Sequence, residues 1–162
     1  MTSAKKLTPA KELKVNEKKW TKPLMNAGFT VLPNVIIERQ KALGLDPTDL
    51  NILLHLACRW WSADNPPFPA VKTIADAMGL KRSAVQKRIA SLEKEGLLER
   101  EERYHPERGQ QSNIYHLDGL IEAATPLAEE EIDARQATKE ERRGRGKRKK
   151  PIKRKLSVVK KR

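Results

Sequence analysis

Arg82, Ser83, Gln86 and Lys87 follow one another at spacings of one, three and one residues, which gathers them on one side of a helix. Val85, Ile89 and Leu92 fall on the other side as its apolar stripe, and Ala90 keeps the polar side low. Arg and Lys can donate to guanine O6 and N7, and Gln can bond adenine N6 and N7 in two places, so this face has the chemistry to read base edges in a major groove. The bland alternative is a helix face that meets only water. Lys72, Thr73 and Lys81 stand near helix starts, where they are expected to anchor phosphate without reading sequence; each taken singly is equally an ordinary surface residue or cap. Arg103, Arg108, Gln110, Gln111 and Asn113 form a second group, placed to reach an adjacent minor groove or backbone, with Arg108 beside Gly109 the strongest member.

A third group is pure charge. Residues 142–162 hold 13 Lys or Arg and no acid, among them Arg145, Lys147, Arg148, Lys149 and Lys150. A polycation of this kind is expected to be disordered and to gain affinity for nucleic acid by counterion release, at about 0.9 log unit per phosphate per log unit of salt. A solubilising tail is the plainer reading. Catalysis finds little support. His55 and Cys58 lie three residues apart on one helix, but Cys58 sits in an apolar run and is expected to be a small core residue. His105 and His116 lack an evident partner for a metal site, and there is no phosphate-binding Gly loop, nucleophile elbow or zinc-protease motif. A single cysteine excludes an intrachain disulfide and a cysteine-based zinc site. No enzyme activity, cofactor or metal is expected.

The elements that must position these groups follow from charge and periodicity. The chain has 162 residues and a net charge of +13. Residues 1–28 carry seven basic and two acidic side chains, residues 29–128 twelve and thirteen, and residues 129–162 fifteen and six. The middle is therefore a neutral folded body between cationic appendages. We expect a basic arm over 1–28, a domain over 29–121, a charged helical extension over 122–141 and the polycationic tail over 142–162. The first dozen residues are expected to be unstructured, and Trp20 to dock on the core. No apolar run approaches the roughly 18 residues needed to span a bilayer, and no signal peptide is evident, so a cytoplasmic, nucleoid-associated protein without a membrane partner is expected.

Within the body, Asn34 and Gly44 bracket a helix over 35–43. A second helix starts near Asp46 and carries Leu50, Leu53, Leu54, Ala57, Trp60 and Trp61 as a buried face; the two tryptophans read as packing residues more than as a base-stacking platform. The prolines between 62 and 69 force a loop with a short extended segment. Val71, Ile74, Ala75 and Met78 mark a third helix, and the fourth spans 82–95, the two joined by a tight turn at Gly79-Leu80-Lys81. Residues 97–104 and 112–117 then read as a hairpin around His105-Pro106-Glu107-Arg108-Gly109. Thr125-Pro126 predicts the start of a further, solvated helix.

The runs Thr73-Ile74-Ala75-Asp76-Ala77-Met78-Gly79, Val85-Gln86-Lys87-Arg88-Ile89-Ala90, Leu92-Glu93, Gly96-Leu97-Leu98 and Ser112-Asn113-Ile114-Tyr115 resemble the winged helix-turn-helix domains of bacterial, plasmid and phage regulators and replication proteins. The resemblance covers residues 50–120 and implies a mainly α fold with a small β-hairpin wing, an α+β arrangement whose second helix enters the major groove. This chain departs from the pattern at Lys81, where many relatives cap the helix with Ser or Thr, and in the acidic first wing strand with Glu99, Glu101 and Glu102. The expected function is sequence-specific binding of double-stranded DNA by a transcription regulator of a bacterium or mobile element. The alternatives are a replication initiator or accessory protein of a plasmid or phage, and, in another class, a protein-interaction module whose tail coats nucleic acid nonspecifically. A homodimer is left open, with the helix over 35–43 and the helix from Thr125 as its candidate seams.

Overall fold

Three short helices, α1 (Pro9–Trp20), α2 (Lys22–Asn26) and α3 (Asn34–Glu38), precede the element on which the body is built, α4 (Pro47–Ala57). The structure, a computed structural model, describes residues 9–146, and the chain falls into two units that divide between residues 124 and 125. Helix α1 starts at Pro9, inside the stretch expected to be unstructured. Trp20 does not dock as expected: it is 54% exposed, and Met25 of α2 is buried instead. Helix α3 is shorter than the predicted 35–43, yet Gly44 (φ 71°) does end the helical path, because the turns continue until Leu45 N–H closes on Gln40 O at 2.9 Å.

Helix α4 is started by a reciprocal cap. Asp46 accepts from the amides of Thr48 at 2.7 Å and Asp49 at 2.9 Å, the Asp46 amide donates back to Asp49 Oδ2 at 3.1 Å, and Pro47 needs no amide partner at the first position. Its buried residues are Asp49, Ile52, Leu53 and Leu56. That face is rotated from the predicted one: Leu50, Leu54 and Ala57 are half-buried, and the helix stops before Trp60 and Trp61. Leucine or isoleucine occurs at 50, 52, 53, 54 and 56, so periodicity alone admits more than one buried face.

Helices α5 (Val71–Met78) and α6 (Arg82–Lys94) match the sequence reading closely. Gly79 takes φ 66°, a left-handed conformation that any β-carbon would strain, and lets Leu80 N–H close on Ala75 O at 2.9 Å. Lys81 caps α6 with no side-chain hydrogen bond, as its residue type implies. After Gly96 the chain forms a hairpin in two antiparallel ladders. Strand β1 (Glu99–Glu101) pairs with β4 (Ile114–His116), and β2 (Tyr104–His105) with β3 (Gly109–Gln110), which leaves Pro106, Glu107 and Arg108 as the tip. The proline-rich stretch lies along the far edge of β4, where Tyr115 N–H donates to Pro67 O at 2.9 Å.

Helix α7 (Asp118–Gly146) begins seven residues before Thr125, so Pro126 lies inside it rather than at its start. Burial of Leu120 and Ala124 favours helix from Asp118 onward. Gly119 permits the approach: a β-carbon there would lie 1.8 Å from Gly96 O. From Thr125 onward, in the second unit, Arg135 bonds Glu131 at 3.0 Å, Arg145 pairs with Glu141, and Ile132 is exposed. That solvated character is as expected, but the helix continues through residues 142–146, into the stretch expected to be disordered.

Ile52, Leu53, Leu56, Ile74, Val85, Ile89 and Leu92 are all at or below 1% exposure. Burial of each aliphatic side chain contributes about 1.5–3 kcal/mol, against about 0–1 kcal/mol for an exposed ion pair, so packing holds α4, α5 and α6 together. Direction comes from Arg88 of α6. Its Nε and Nη2 donate to Asp49 Oδ1 and Oδ2 at 2.8 and 2.7 Å, and it pairs with Asp46 as well. Burial raises the Asp49 carboxyl to about 6, and the Glu95 carboxylate adds to the shift; the bidentate guanidinium is the charge that offsets this penalty.

Replacing Arg88 by Ala strands the Asp49 carboxyl and is expected to lower stability by about 1–3 kcal/mol in urea denaturation, with Arg88→Lys recovering little because an ammonium cannot hold both oxygens. Gly119→Ala forces the start of α7 away from Gly96 and is expected to cost about 1–3 kcal/mol by the same measurement; an unchanged midpoint would show that this approach is not tight in solution.

Candidate nucleic-acid interface

Burial of Val85, Ile89 and Leu92 turns the other side of α6 outward, and Arg82, Ser83, Gln86, Lys87 and Ala90 are all exposed. The first turn of α6 contains no acidic residue, so the positive end of the helix dipole is reinforced by Lys81 and Arg82. Lys81, Arg82 and Lys87 make no ion pair among the described residues, and their donors are available. A face of unpaired Arg and Lys with a Gln and a Ser hydroxyl can meet phosphate oxygens or base edges.

The remaining predicted residues divide. Lys72 is held by Asp76 at 2.5 Å one turn along α5, while Thr73 beside it is exposed. Arg103 lies with its guanidinium 4.7 Å from the ring centre of Phe68, a stack that holds its plane in place. Arg108 and Gln110 are exposed at and beside the hairpin tip. Gln111 and Asn113 are half-buried, and the Gln111 amide donates to Arg103 O at 2.8 Å. Arg145 is paired with Glu141, and Lys147, Arg148, Lys149 and Lys150 lie outside the described residues.

The base of the hairpin is acidic or internally neutralised. Arg100 bonds both carboxylate oxygens of Glu93 at 3.2 and 2.7 Å, and His116 Nε2 meets Glu101 at 2.9 Å, a carboxylate partner the sequence did not reveal. Glu93, Glu99, Asp118 and Glu122 line a cleft of about 470 Å³ whose charge repels phosphate. Burial raises the pKa of Tyr115, with Arg100 and Glu93 acting in opposite directions on it. Cationic donors free to meet an anion are therefore found on the outer face of α6 and at the tip of the hairpin.

Two participants escaped the sequence reading. Arg88 orients α6, and Phe68 holds Arg103; neither role has a local signal, because each partner is distant in the chain. Cys58 was expected in the core and is exposed, accepting a hydrogen bond from Thr30 Oγ1 at 3.1 Å. Trp60 is half-buried and Trp61 is 80% exposed, so the expected packing role fails for the second. Among the described residues no group of three or more His, Cys, Asp or Glu could hold a metal ion, and no helix is long and apolar enough to cross a membrane.

Comparison with curated proteins finds no match. Among solved structures, the crystal structure of the N-terminal domain of DnaD protein from Geobacillus kaustophilus HTA426 superposes with a TM-score of 0.52 at 20% identity, covering 75% of this chain and 98% of that one. At that identity the likeness is one of fold. A possible transcriptional regulator from Methanosarcina mazei Go1 gives a TM-score of 0.42 at 18% identity, over 67% of this chain and 85% of its own. The YusO protein from Bacillus subtilis gives 0.36 at 18% identity, over 84% and 99%. The family model of the DnaD N-terminal domain matches residues 32–135, which takes in every element from α3 to the hairpin and much of α7. With that match extending over more than half of its length, the chain belongs to the DnaD N-terminal domain family.

Proposed function

We propose that this protein binds double-stranded DNA in the service of replication initiation, with α5 and α6 as a helix-turn-helix unit and the hairpin as its wing. The observation that carries the reading is the outer face of α6, where Arg82, Ser83, Gln86 and Lys87 are exposed and its cations lack acidic partners. Membership of a family found in replication-initiation and primosomal proteins moves the assignment from a transcription regulator, the first expectation, to the replication alternative. In this reading α6 reads the major groove, Arg108 reaches the flanking groove, and residues 142–162 supply attraction that is blind to sequence. It is a binding protein and not an enzyme.

Selection of bound duplexes from a random pool at near-physiological salt tests the assignment, and an enriched site is the expected outcome. Replacing Arg82 or Gln86 by Ala should relax preference at a few base pairs, at about 1–3 kcal/mol for each good contact; a loss equal on every sequence would leave those residues touching phosphate only. Deleting residues 142–162 should weaken binding to all duplexes and flatten the dependence of log affinity on log salt while the selected site stays the same. A changed site would show that the tail takes part in reading sequence.

A further inference from the structure

Residues 9–26, α1 and α2, lie outside the stretch that matches the family, and they hold a feature that neither packing nor the α6 face accounts for. Trp20, the last residue of α1, is 54% exposed, although a tryptophan is the side chain with most to gain from burial. It is not bare: Lys19 Nζ lies 5.3 Å from its ring centre, and Lys18 and Lys22 are exposed on either side of it in the chain. Lys14, Lys18, Lys19 and Lys22 make no ion pair among the described residues. Thr21, between the tryptophan and Lys22, has φ 70°, a conformation costly for a β-branched residue, and it separates α1 from α2 immediately after the ring.

We infer that the end of α1 is a single-stranded DNA site, in which an unstacked base lies on the Trp20 ring while Lys18, Lys19 and Lys22 meet the neighbouring phosphates. An exposed aromatic face with flanking cations is what a single strand needs, since every base offers a π-face and every linkage a negative charge. A duplex keeps its bases stacked and offers only the phosphates. Lys19 over the ring, with Lys18 and Lys22 flanking it in the chain and none of the three ion-paired among the described residues, favours a polyanion over an apolar protein surface, and α1 is too polar to sink into lipid, with Ala10, Leu13, Val15 and Trp20 its only apolar residues besides Pro9. The choice of DNA rests on the function proposed above; the stacking site itself does not.

Fluorescence anisotropy of the full chain with a labelled 20-nucleotide oligothymidylate and with a labelled duplex of the same length tests the site. Trp20→Ala should weaken oligothymidylate binding by about fivefold or more while duplex binding stays within about twofold, and Trp20→Phe should keep most of the affinity. The tryptophan emission quenched by oligothymidylate should be largely lost in the Ala variant. Unchanged oligothymidylate affinity, or equal loss on strand and duplex with native circular dichroism, overturns the inference, because charge alone would then explain binding. Arg82→Ala with Gln86→Ala in the same assay separates the two readings: loss of duplex site preference with oligothymidylate binding intact leaves the α1 site standing apart from α6.

Discussion

The bidentate contact between Arg88 and Asp49 is the constraint on which the arrangement of α6 depends. Asp49 already serves the reciprocal cap of α4, so one carboxylate both starts that helix and receives the guanidinium of the next helix but one. Hydrophobic burial is non-directional and would accept a modest rotation of α6 over α4. A pair of hydrogen bonds at 2.8 and 2.7 Å to a carboxylate that is almost wholly enclosed accepts far less. The rotation it selects turns Arg82, Gln86 and Lys87 outward.

The same economy of charge governs the rest of the body. Residues 29–128 are close to neutral, and four of their cations are engaged: Arg88 by Asp49 and Asp46, Arg100 by Glu93, Lys72 by Asp76, Arg103 by the Phe68 ring. Ion pairing removes Arg88, Arg100 and Lys72 from competition for an anion, while the cations at the start of α6 and at the hairpin tip stay available among the described residues. The acidic cleft under the hairpin sharpens the contrast, since phosphate is attracted at one place and repelled at another. The overall charge of +13 describes the appendages more than the body.

Much of this is legible in the sequence. Helices α5 and α6, the turn at Gly79 and the hairpin tip carry local signals: short apolar stripes at helical spacing, a glycine where a left-handed residue is needed, and a proline and glycine bracketing the tip. The α6 face followed from the same stripes. Elsewhere the local signal misled. Thr125-Pro126 has the chemistry of a helix start, yet α7 begins at Asp118, where Gly119 allows close approach to Gly96. Trp20 and Cys58 looked like interior residues by type and lie at the surface.

The sequence by itself determined the order and kind of the central elements and which side of α6 is polar, because helical periodicity and turn chemistry act over a few residues. It also set the division of charge, which is a sum and needs no fold. Only the tertiary structure decided which face of α4 is buried, which cations are neutralised and which aromatics stay in water. Those outcomes depend on partners such as Asp49 and Arg88, 39 residues apart, and no local pattern encodes a meeting at that distance.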